Sequence, residues 1–178
     1  MQKIIYFDEV EKKCIDKAYQ NFIDYAFENT DYFMLVYVNY YGKGYTKTMR
    51  YYRDALKSYK VKSRSNPSWP GTPGTYTAKT TYKVVFYKTD PTAKEILKEV
   101  YGISSWTCPS YPQDLAFFKG NICWFYSVGH EKMAAIIHAS KKDLDFLEAN
   151  GLAERSQAYL HFDDYFDIYN EKLQKDER

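Results

Sequence analysis

Residues 115–128 have the sequence Leu-Ala-Phe-Phe-Lys-Gly-Asn-Ile-Cys-Trp-Phe-Tyr-Ser-Val, which is the strongest indication of the fold class. Two apolar and aromatic runs, 115–118 and 122–128, flank Lys119-Gly120-Asn121, whose composition is typical of a hairpin turn. A hairpin joins neighbouring antiparallel strands. The segment therefore predicts an antiparallel strand pair.

Further strands are predicted on either side of this hairpin. Residues 32–40 are aromatic and β-branched, which is typical of a short buried strand. Residues 76–88 alternate with a period of two, and Lys79 and Lys83 lie opposite the apolar face, so one side of this strand is expected to face water. Residues 133–138 fit either a third strand of the meander or a helical turn.

Apolar residues recur at helical spacing in five other stretches. Helices are predicted over 8–29, from Thr46, from Asp90-Pro91, from Ser140, and over about 163–174. The first begins with a variant capping box, in which Asp8 is the cap and Glu11 follows three residues later. Helices interrupted by hairpin-linked strands predict an α+β fold, a mostly antiparallel sheet with helices packed on one side.

The length and composition fit one globular domain. The chain has 178 residues, of which 45% are hydrophobic and 27% charged, so residues 1–178 are predicted to form a single domain. One Pro/Gly-rich loop is predicted at 63–75, where three prolines and two glycines exclude regular structure. A loop of this length inside a compact domain is usually functional or disordered.

Three features predict a cytoplasmic protein. No stretch approaches the roughly 18 consecutive apolar residues of a membrane span, so no membrane association is expected. The N-terminal stretch turns acidic at Asp8, too early for a signal peptide. Cys14, Cys108 and Cys123 are odd in number and form no Cys-x-x-Cys pair, which argues against a disulfide framework and a structural zinc site. We expect no metal and no cofactor.

The charge is distributed unevenly along the chain. Residues 43–88 contain eleven Lys or Arg and one acid, Asp54, whereas residues 143–178 contain ten acids and four basic residues. Such asymmetry indicates a site for a polyanion, an oriented protein contact, or neutralisation of one part by the other. The plainer interpretation is a helix and a strand whose solvated faces are basic.

Aromatic residues lie among these cations. Phosphates require cations and exposed bases stack on rings, so the mixture suits single-stranded nucleic acid or RNA. It equally suits a protein interface, where Tyr and Arg are frequent anchors. The predicted binding residues are Lys47, Arg50, Tyr52, Arg53, Lys57, Tyr59, Lys60, Lys62, Arg64 and Trp69.

Motifs for catalysis are weak. Gly129-His130-Glu131-Lys132 places a possible acid and base side by side, but a polar turn explains the pair better. Cys108 is isolated and is expected to be a small buried hydrophobe. Asp163-Asp164-x-x-Asp167 has ligands for a hard cation, yet acids at a helix start are favoured by the helix dipole. No catalytic residue is predicted.

Three motifs resemble those of a known group of proteins. They are Trp69-Pro70-Gly71-Thr72, Pro112-x-Asp114-Leu115-x-Phe117 and Ser127-x-x-His130-Glu131-x-x-Ala134. Over about residues 69–138 the chain resembles small uncharacterised proteins of Firmicutes and their mobile elements. The resemblance implies a cytoplasmic protein of phage or mobile-element origin, and by analogy an inhibitor of a host nuclease, including the anti-CRISPR kind. It assigns no role to any residue.

Three functional hypotheses follow. The first is a non-enzymatic protein that docks its basic, Tyr-rich face onto nucleic acid or a nucleic-acid-containing complex. The second is a phage or mobile-element inhibitor that binds a host defence protein such as a CRISPR nuclease. The third is a small hydrolase that uses His130 and Glu131.

Overall fold

Seven antiparallel strands form one sheet in the part of the chain that the structure describes. The computed structural model describes residues 4–74, 79–154 and 164–168. The strand order is β1-β7-β6-β5-β2-β4-β3, and every neighbouring pair is antiparallel. The strands are β1 (Ile5–Tyr6), β2 (Tyr32–Asn39), β3 (Lys60–Ser65), β4 (Thr81–Lys88), β5 (Gln113–Lys119), β6 (Ile122–Val128) and β7 (Met133–Ile136). The predicted α+β class is confirmed.

Five α-helices accompany the sheet: α1 (Val10–Lys13), α2 (Asp16–Asn29), α3 (Lys47–Ala55), α4 (Pro91–Lys98) and α5 (Lys141–Ala149). Three begin where the sequence predicts, because the side chains of Thr46, Asp90 and Ser140 each accept a hydrogen bond from a backbone N–H of the first turn. The cap predicted at Asp8 is wrong. Glu9 precedes α1, and its side chain makes no capping hydrogen bond. Among the described helices, none has the length and hydrophobicity needed to span a bilayer.

The helices pack on one face of the sheet, which we call the helix face. Phe117 and Phe125 are cross-strand neighbours there. The ring centroid of Phe22 in α2 lies 4.6 Å from that of Phe125, and Phe146 of α5 stacks on Tyr25 of α2 at 4.0 Å. Aromatic packing of this kind buries large apolar areas, so this layer forms much of the core.

Two irregular segments, 66–74 and 164–168, cover the opposite face. Gly71 lies so close to β6 that a Cβ there would come within 2.5 Å of the ring of Tyr126. The ring of Phe166 packs on that of Phe118, with centroids 5.5 Å apart. The sheet is therefore a middle layer, and its central strands are buried on both faces.

The predicted helix over 8–29 is interrupted at Cys14 and Ile15. Ile15 forms an isolated β-bridge with Gly102, and the C=O of Cys14 accepts a 3.1 Å hydrogen bond from the N–H of Ile103. These tertiary bonds use backbone groups that a continuous helix would pair internally. The break is thus imposed by a distant part of the chain.

Two strand predictions also change. Residues 63–65, predicted as loop, belong to β3, because an edge strand tolerates the polar sequence Lys-Val-Lys-Ser-Arg-Ser. The water-facing side predicted for 76–88 is limited to its first residues, since residues 84–87 are buried whichever face they occupy. Residues 133–136 form a strand, which decides between the alternatives left open by the sequence.

The described part of the C-terminal segment is not helical. Tyr165 forms a β-bridge with Ile122, so the helix predicted over 163–174 is wrong for 164–168. The rest of that prediction lies outside the described residues, as do residues 75–78 of the predicted loop and strand.

Candidate nucleic-acid interface

Helix α3 separates its apolar and basic residues as the periodicity predicts. Met49 and Tyr52 are buried, and Lys47, Arg50 and Arg53 are exposed on the other side. Three more exposed cations continue from this helix on the helix face: Lys57 follows in a 3-10 turn, Lys60 begins β3, and Lys83 lies on β4. We call Lys47, Arg50, Arg53, Lys57, Lys60 and Lys83 the basic surface.

Most cations of the basic surface have no acidic partner. Arg53 pairs with Asp54, with 2.9 Å between Nε and Oδ1. The other five contact no carboxylate in the part of the chain that the structure describes. Elsewhere the pattern is mixed. Lys94 and Lys98 both contact Asp24, whereas the exposed Lys17 and Lys88 contact no carboxylate among the described residues. The basic surface thus carries an excess of positive charge among the described residues. Asp54 offsets part of it, since Arg53 and, at longer range, Lys57 and Arg50 lower the pKa of that carboxyl.

Lys60 is influenced by its partial burial and by a neighbouring cation. Burial lowers the pKa of Lys60, and the positive charge of Lys83 lowers that pKa further. Both causes oppose the charged form of the amine. An anion bound beside these two lysines would act in the opposite direction and would be stabilised by both.

Lys62 and Arg64 do not belong to the basic surface. The register of β3 shifts after Lys60: Lys60 pairs with Tyr87, but Lys62 pairs with Phe86. This irregularity places Lys62 and Arg64 on the opposite face of the sheet from Lys60. Lys62 Nζ donates a 3.1 Å hydrogen bond to the C=O of Asp167, and the Arg64 guanidinium lies 5.6 Å from the ring centroid of Phe166. Both predicted binding residues therefore hold the segment 164–168 against the sheet.

The predicted aromatic binding residues are mostly parts of the core. Tyr52 and Trp69 are each 3% exposed, and Tyr59 is half-buried. The ring of Tyr52 packs on that of Trp106 at 5.2 Å. No ring face of Tyr52 or Trp69 is open to a base, so the stacking role expected of Trp69 is replaced by a structural one.

Exposed tyrosines lie elsewhere. Tyr40 and Tyr41 are 41% and 57% exposed in the connection between β2 and α3. Tyr51 is 47% exposed on α3, and its hydroxyl donates a 2.8 Å hydrogen bond to Glu99. Residue type alone does not distinguish Tyr40 and Tyr41 from the buried tyrosines of the chain. Their signal in the sequence is Tyr-Tyr-Gly-Lys-Gly, two aromatics beside glycines that break a strand.

The three resemblance motifs meet at one buried carboxylate, Asp114. Its Oδ2 accepts hydrogen bonds from Trp69 Nε1 at 2.7 Å and Thr72 Oγ1 at 3.4 Å, and its Oδ1 accepts from the backbone N–H of Gly129 at 2.9 Å. Burial raises the pKa of Asp114, and these hydrogen bonds oppose the rise. The motifs thus form a clamp that fastens the Pro/Gly-rich segment to the sheet.

The residues of the hydrolase hypothesis lie on a solvent-facing turn. The side chains of His130 and Glu131 are 51% and 58% exposed, with 3.7 Å between Nε2 and Oε1. Burial raises the pKa of the Cys108 thiol to about 11, which disfavours its nucleophilic thiolate at neutral pH. The described residues contain no group of three or more His, Cys, Asp or Glu able to hold a metal ion. Asp163 of the acidic motif lies outside them.

A pocket of about 310 Å³ lies near the β5–β6 turn, away from the basic surface. Lys119 Nζ lies 5.0 Å from the ring centroid of Trp124 there, and His138 pairs with Asp164. Cys123 also lines the pocket, but its side chain is buried and burial raises the pKa of its thiol. The pocket therefore lacks an activated nucleophile among the described residues.

Comparisons with protein-family models, curated proteins and solved structures give no match for this chain.

Proposed function

We propose that this protein is a non-enzymatic binding protein that docks its basic surface onto nucleic acid or a nucleic-acid-containing complex. The observation that carries the proposal is the set of five exposed cations on one side of the molecule without a carboxylate partner among the described residues. Phosphates supply the missing negative charge, and the counterions they release on binding favour the complex.

Exposed rings beside the cations favour nucleic acid as the polyanion. Nucleic acid offers both phosphates and bases, and proteins that bind single strands combine a positive surface with aromatic side chains. Tyr40, Tyr41 and Tyr51 supply exposed rings next to or within α3. The same combination of Tyr and Arg supports a second candidate, an inhibitor that grips an acidic surface of a host defence protein. A phage or mobile-element origin of the protein is proposed as part of that second candidate.

We propose no catalytic role for His130 and Glu131. A general acid–base pair is normally tuned by burial and by neighbouring charges. These two side chains are more than half exposed on a short turn, where water surrounds both. A polar turn between β6 and β7 explains them.

We propose a cytoplasmic location. Cys14, Cys108 and Cys123 are all free and buried. Free buried thiols are stable in a reducing compartment, where disulfides are rare.

A pull-down from host lysate, with and without nuclease, tests the proposed function. The matched bait carries Arg50→Glu, Lys57→Glu and Lys60→Glu, which reverse three exposed charges without touching the core. We expect the wild-type bait to retain a partner that nuclease releases, and the reversed bait to retain none. A partner that survives nuclease but is lost by the reversed bait would favour the inhibitor. A partner that the reversed bait retains as well as the wild-type bait would contradict both the nucleic-acid hypothesis and the inhibitor hypothesis.

A further inference from the structure

Residues 40–44 form a small exposed projection between β2 and α3, and every residue in it is exposed. It carries two adjacent rings, those of Tyr40 and Tyr41, whose centroids are 6.5 Å apart and whose planes differ by 26°. Most other aromatic rings of the described chain are buried or half-buried. Two large rings presented side by side to solvent are therefore exceptional in this molecule.

The projection is held in one conformation by hydrogen bonds. The N–H of Lys43 donates to the C=O of Tyr40 at 2.9 Å, and the N–H of Gly44 donates to Oδ1 of Asn39 at 2.7 Å. The N–H of Tyr41 also donates to Thr80 Oγ1 at 3.4 Å. The rings are thus displayed on a fixed backbone, which limits the entropy lost when a ligand binds.

Tyr41 adopts a backbone conformation that is unfavourable for a tyrosine. Its φ of 50° and ψ of 30° lie in the left-handed region, where Cβ crowds the backbone and glycine is the usual residue. A buried ring would offset that cost by packing, but the ring of Tyr41 is 57% exposed. Strain of this kind persists at binding sites, where the side chain is needed in a set position.

The projection leads directly into the basic surface. Lys43 lies within it, and Lys47 opens α3 just after the cap at Thr46. Arg50 Nη1 donates to the C=O of Tyr45, which ties the helix to the end of the projection. A strand whose bases contact the rings can thus continue with its phosphates along α3.

We propose that Tyr40 and Tyr41 form a stacking platform for unpaired bases, so that the basic surface binds single-stranded nucleic acid in preference to duplex. Bases in a duplex are already stacked on one another and show no free face to the rings, whereas those of a single strand do. This inference rests on the proposed function, and it assigns base contact to residues other than Tyr52 and Trp69.

Three probes measured by fluorescence anisotropy with the full chain test the platform: an oligothymidylate of about 20 nucleotides, an abasic strand of the same length, and a duplex of the same length. The key variant is Tyr41→Gly, because glycine adopts the left-handed conformation freely and keeps the turn while removing the ring. Tyr41→Asn, which also tolerates this conformation, is a second variant. The control is Tyr165→Ala, which removes a ring of 55% exposure near Ile122, at the other end of the sheet.

We expect wild type to bind oligothymidylate more tightly than the abasic strand or the duplex. Tyr41→Gly should weaken oligothymidylate binding by about 5- to 100-fold and leave abasic binding within about two-fold, because only stacking is lost. Tyr165→Ala should change neither. The unfolding midpoint of Tyr41→Gly should equal or exceed that of wild type.

The platform is wrong if Tyr41→Gly and Tyr41→Asn leave oligothymidylate binding unchanged, or weaken both single strands equally. Lys57→Ala tests the basic surface independently of the rings, so it distinguishes an error in the platform from an error in the proposed function. If Lys57→Ala weakens binding to all three probes while the Tyr41 variants do not, only the platform fails. If wild type binds no probe at about 0.15 M salt, the proposed function fails and the platform fails with it.

Discussion

The indole N–H of Trp69 donates a 2.7 Å hydrogen bond to Oδ2 of Asp114, and both side chains are buried. Trp69 comes from the Pro/Gly-rich segment, and Asp114 lies in β5, 45 residues along the chain. The bond fastens a segment without regular structure to the face of the sheet opposite the helices. It gives Trp69 a role in stability and removes it from the candidate interface.

Trp69→Phe should destabilise the fold without affecting binding. The change keeps an aromatic ring but removes the indole N–H donor, so a buried carboxylate loses a hydrogen bond worth about 1.5–3 kcal/mol. The smaller ring also leaves a cavity, which adds to the loss. Urea unfolding should show a free energy of unfolding lower by at least that amount, and a correspondingly lower midpoint. Affinity for oligothymidylate, measured well below the transition, should match wild type. A stable variant with weakened binding would return Trp69 to the interface.

Gly71→Ala should be much more harmful than Gly120→Ala. Both glycines have positive φ, so both variants incur the left-handed cost of about 1–2 kcal/mol. At Gly71 a Cβ would also lie 2.5 Å from the ring of Tyr126, whereas at Gly120 no atom lies within 4 Å. Overpacking should add about 1–3 kcal/mol to the loss for Gly71→Ala. Equal losses in urea unfolding would show that the segment does not pack on β6.

The contributions of two buried aspartates, Asp114 and Asp143, to the stability of the fold should change with pH in opposite directions. Burial raises the pKa of Asp114 above 3.8, so its contribution to stability is present below that value and is lost as the pH rises through the raised pKa. Burial also tends to raise the pKa of Asp143, but hydrogen bonds from Ser140 and Tyr25 have the larger opposite effect, so the pKa of Asp143 is lowered. Its contribution is present above 3.8 and is lost as the pH falls.

Unfolding free energies of wild type, Asp114→Asn and Asp143→Asn between about pH 3 and about pH 8 test these signs. The advantage of wild type over Asp114→Asn should shrink as the pH rises. Its advantage over Asp143→Asn should shrink as the pH falls. Parallel trends for the two variants would contradict the hydrogen bonding described for one of the two sites.

The three cysteines should behave as structural thiols. Burial raises the pKa of Cys14 to about 12 and that of Cys108 to about 11, so both are protonated at neutral pH. Alkylation by iodoacetamide should be slow in the native protein and should reach all three thiols in denaturant. The thermal midpoint should be the same with and without reductant. A fall on adding reductant would reveal a disulfide.

Local signals in the sequence predicted much of the fold. Thr46, Asp90 and Ser140 mark helix starts because each acts on the N–H groups of its own first turn. The interruption at Cys14 and Ile15 could not be predicted in this way, because its cause is a backbone pairing with residues 102–103. β3 was missed because an edge strand does not need an apolar pattern.

Local signals also predict part of the candidate site, whereas the rest depends on contacts between distant residues. Helical periodicity places Lys47, Arg50 and Arg53 on the exposed side of α3, and the structure agrees. The burial of Trp69 depends on Asp114, a distant partner that no local pattern reveals. Composition alone treats every tyrosine alike. The separation of buried rings from the exposed pair at 40–41 therefore required the fold.

If the proposed function is right, the cations of the basic surface contact phosphates. Lys57 is the most direct probe, since it is exposed and unpaired among the described residues. Lys141 is the matched control, because it is also an exposed lysine but pairs with Asp145 in α5. Each neutralised phosphate on a single strand contributes about −0.7 to the slope of log affinity against log salt.

The decisive measurement is that slope for oligothymidylate with wild type, Lys57→Ala and Lys141→Ala. We expect a steep negative slope for wild type, a slope flatter by about 0.7 for Lys57→Ala, and an unchanged slope for Lys141→Ala. Identical slopes for all three proteins, or no binding by wild type at about 0.15 M salt, would contradict the account.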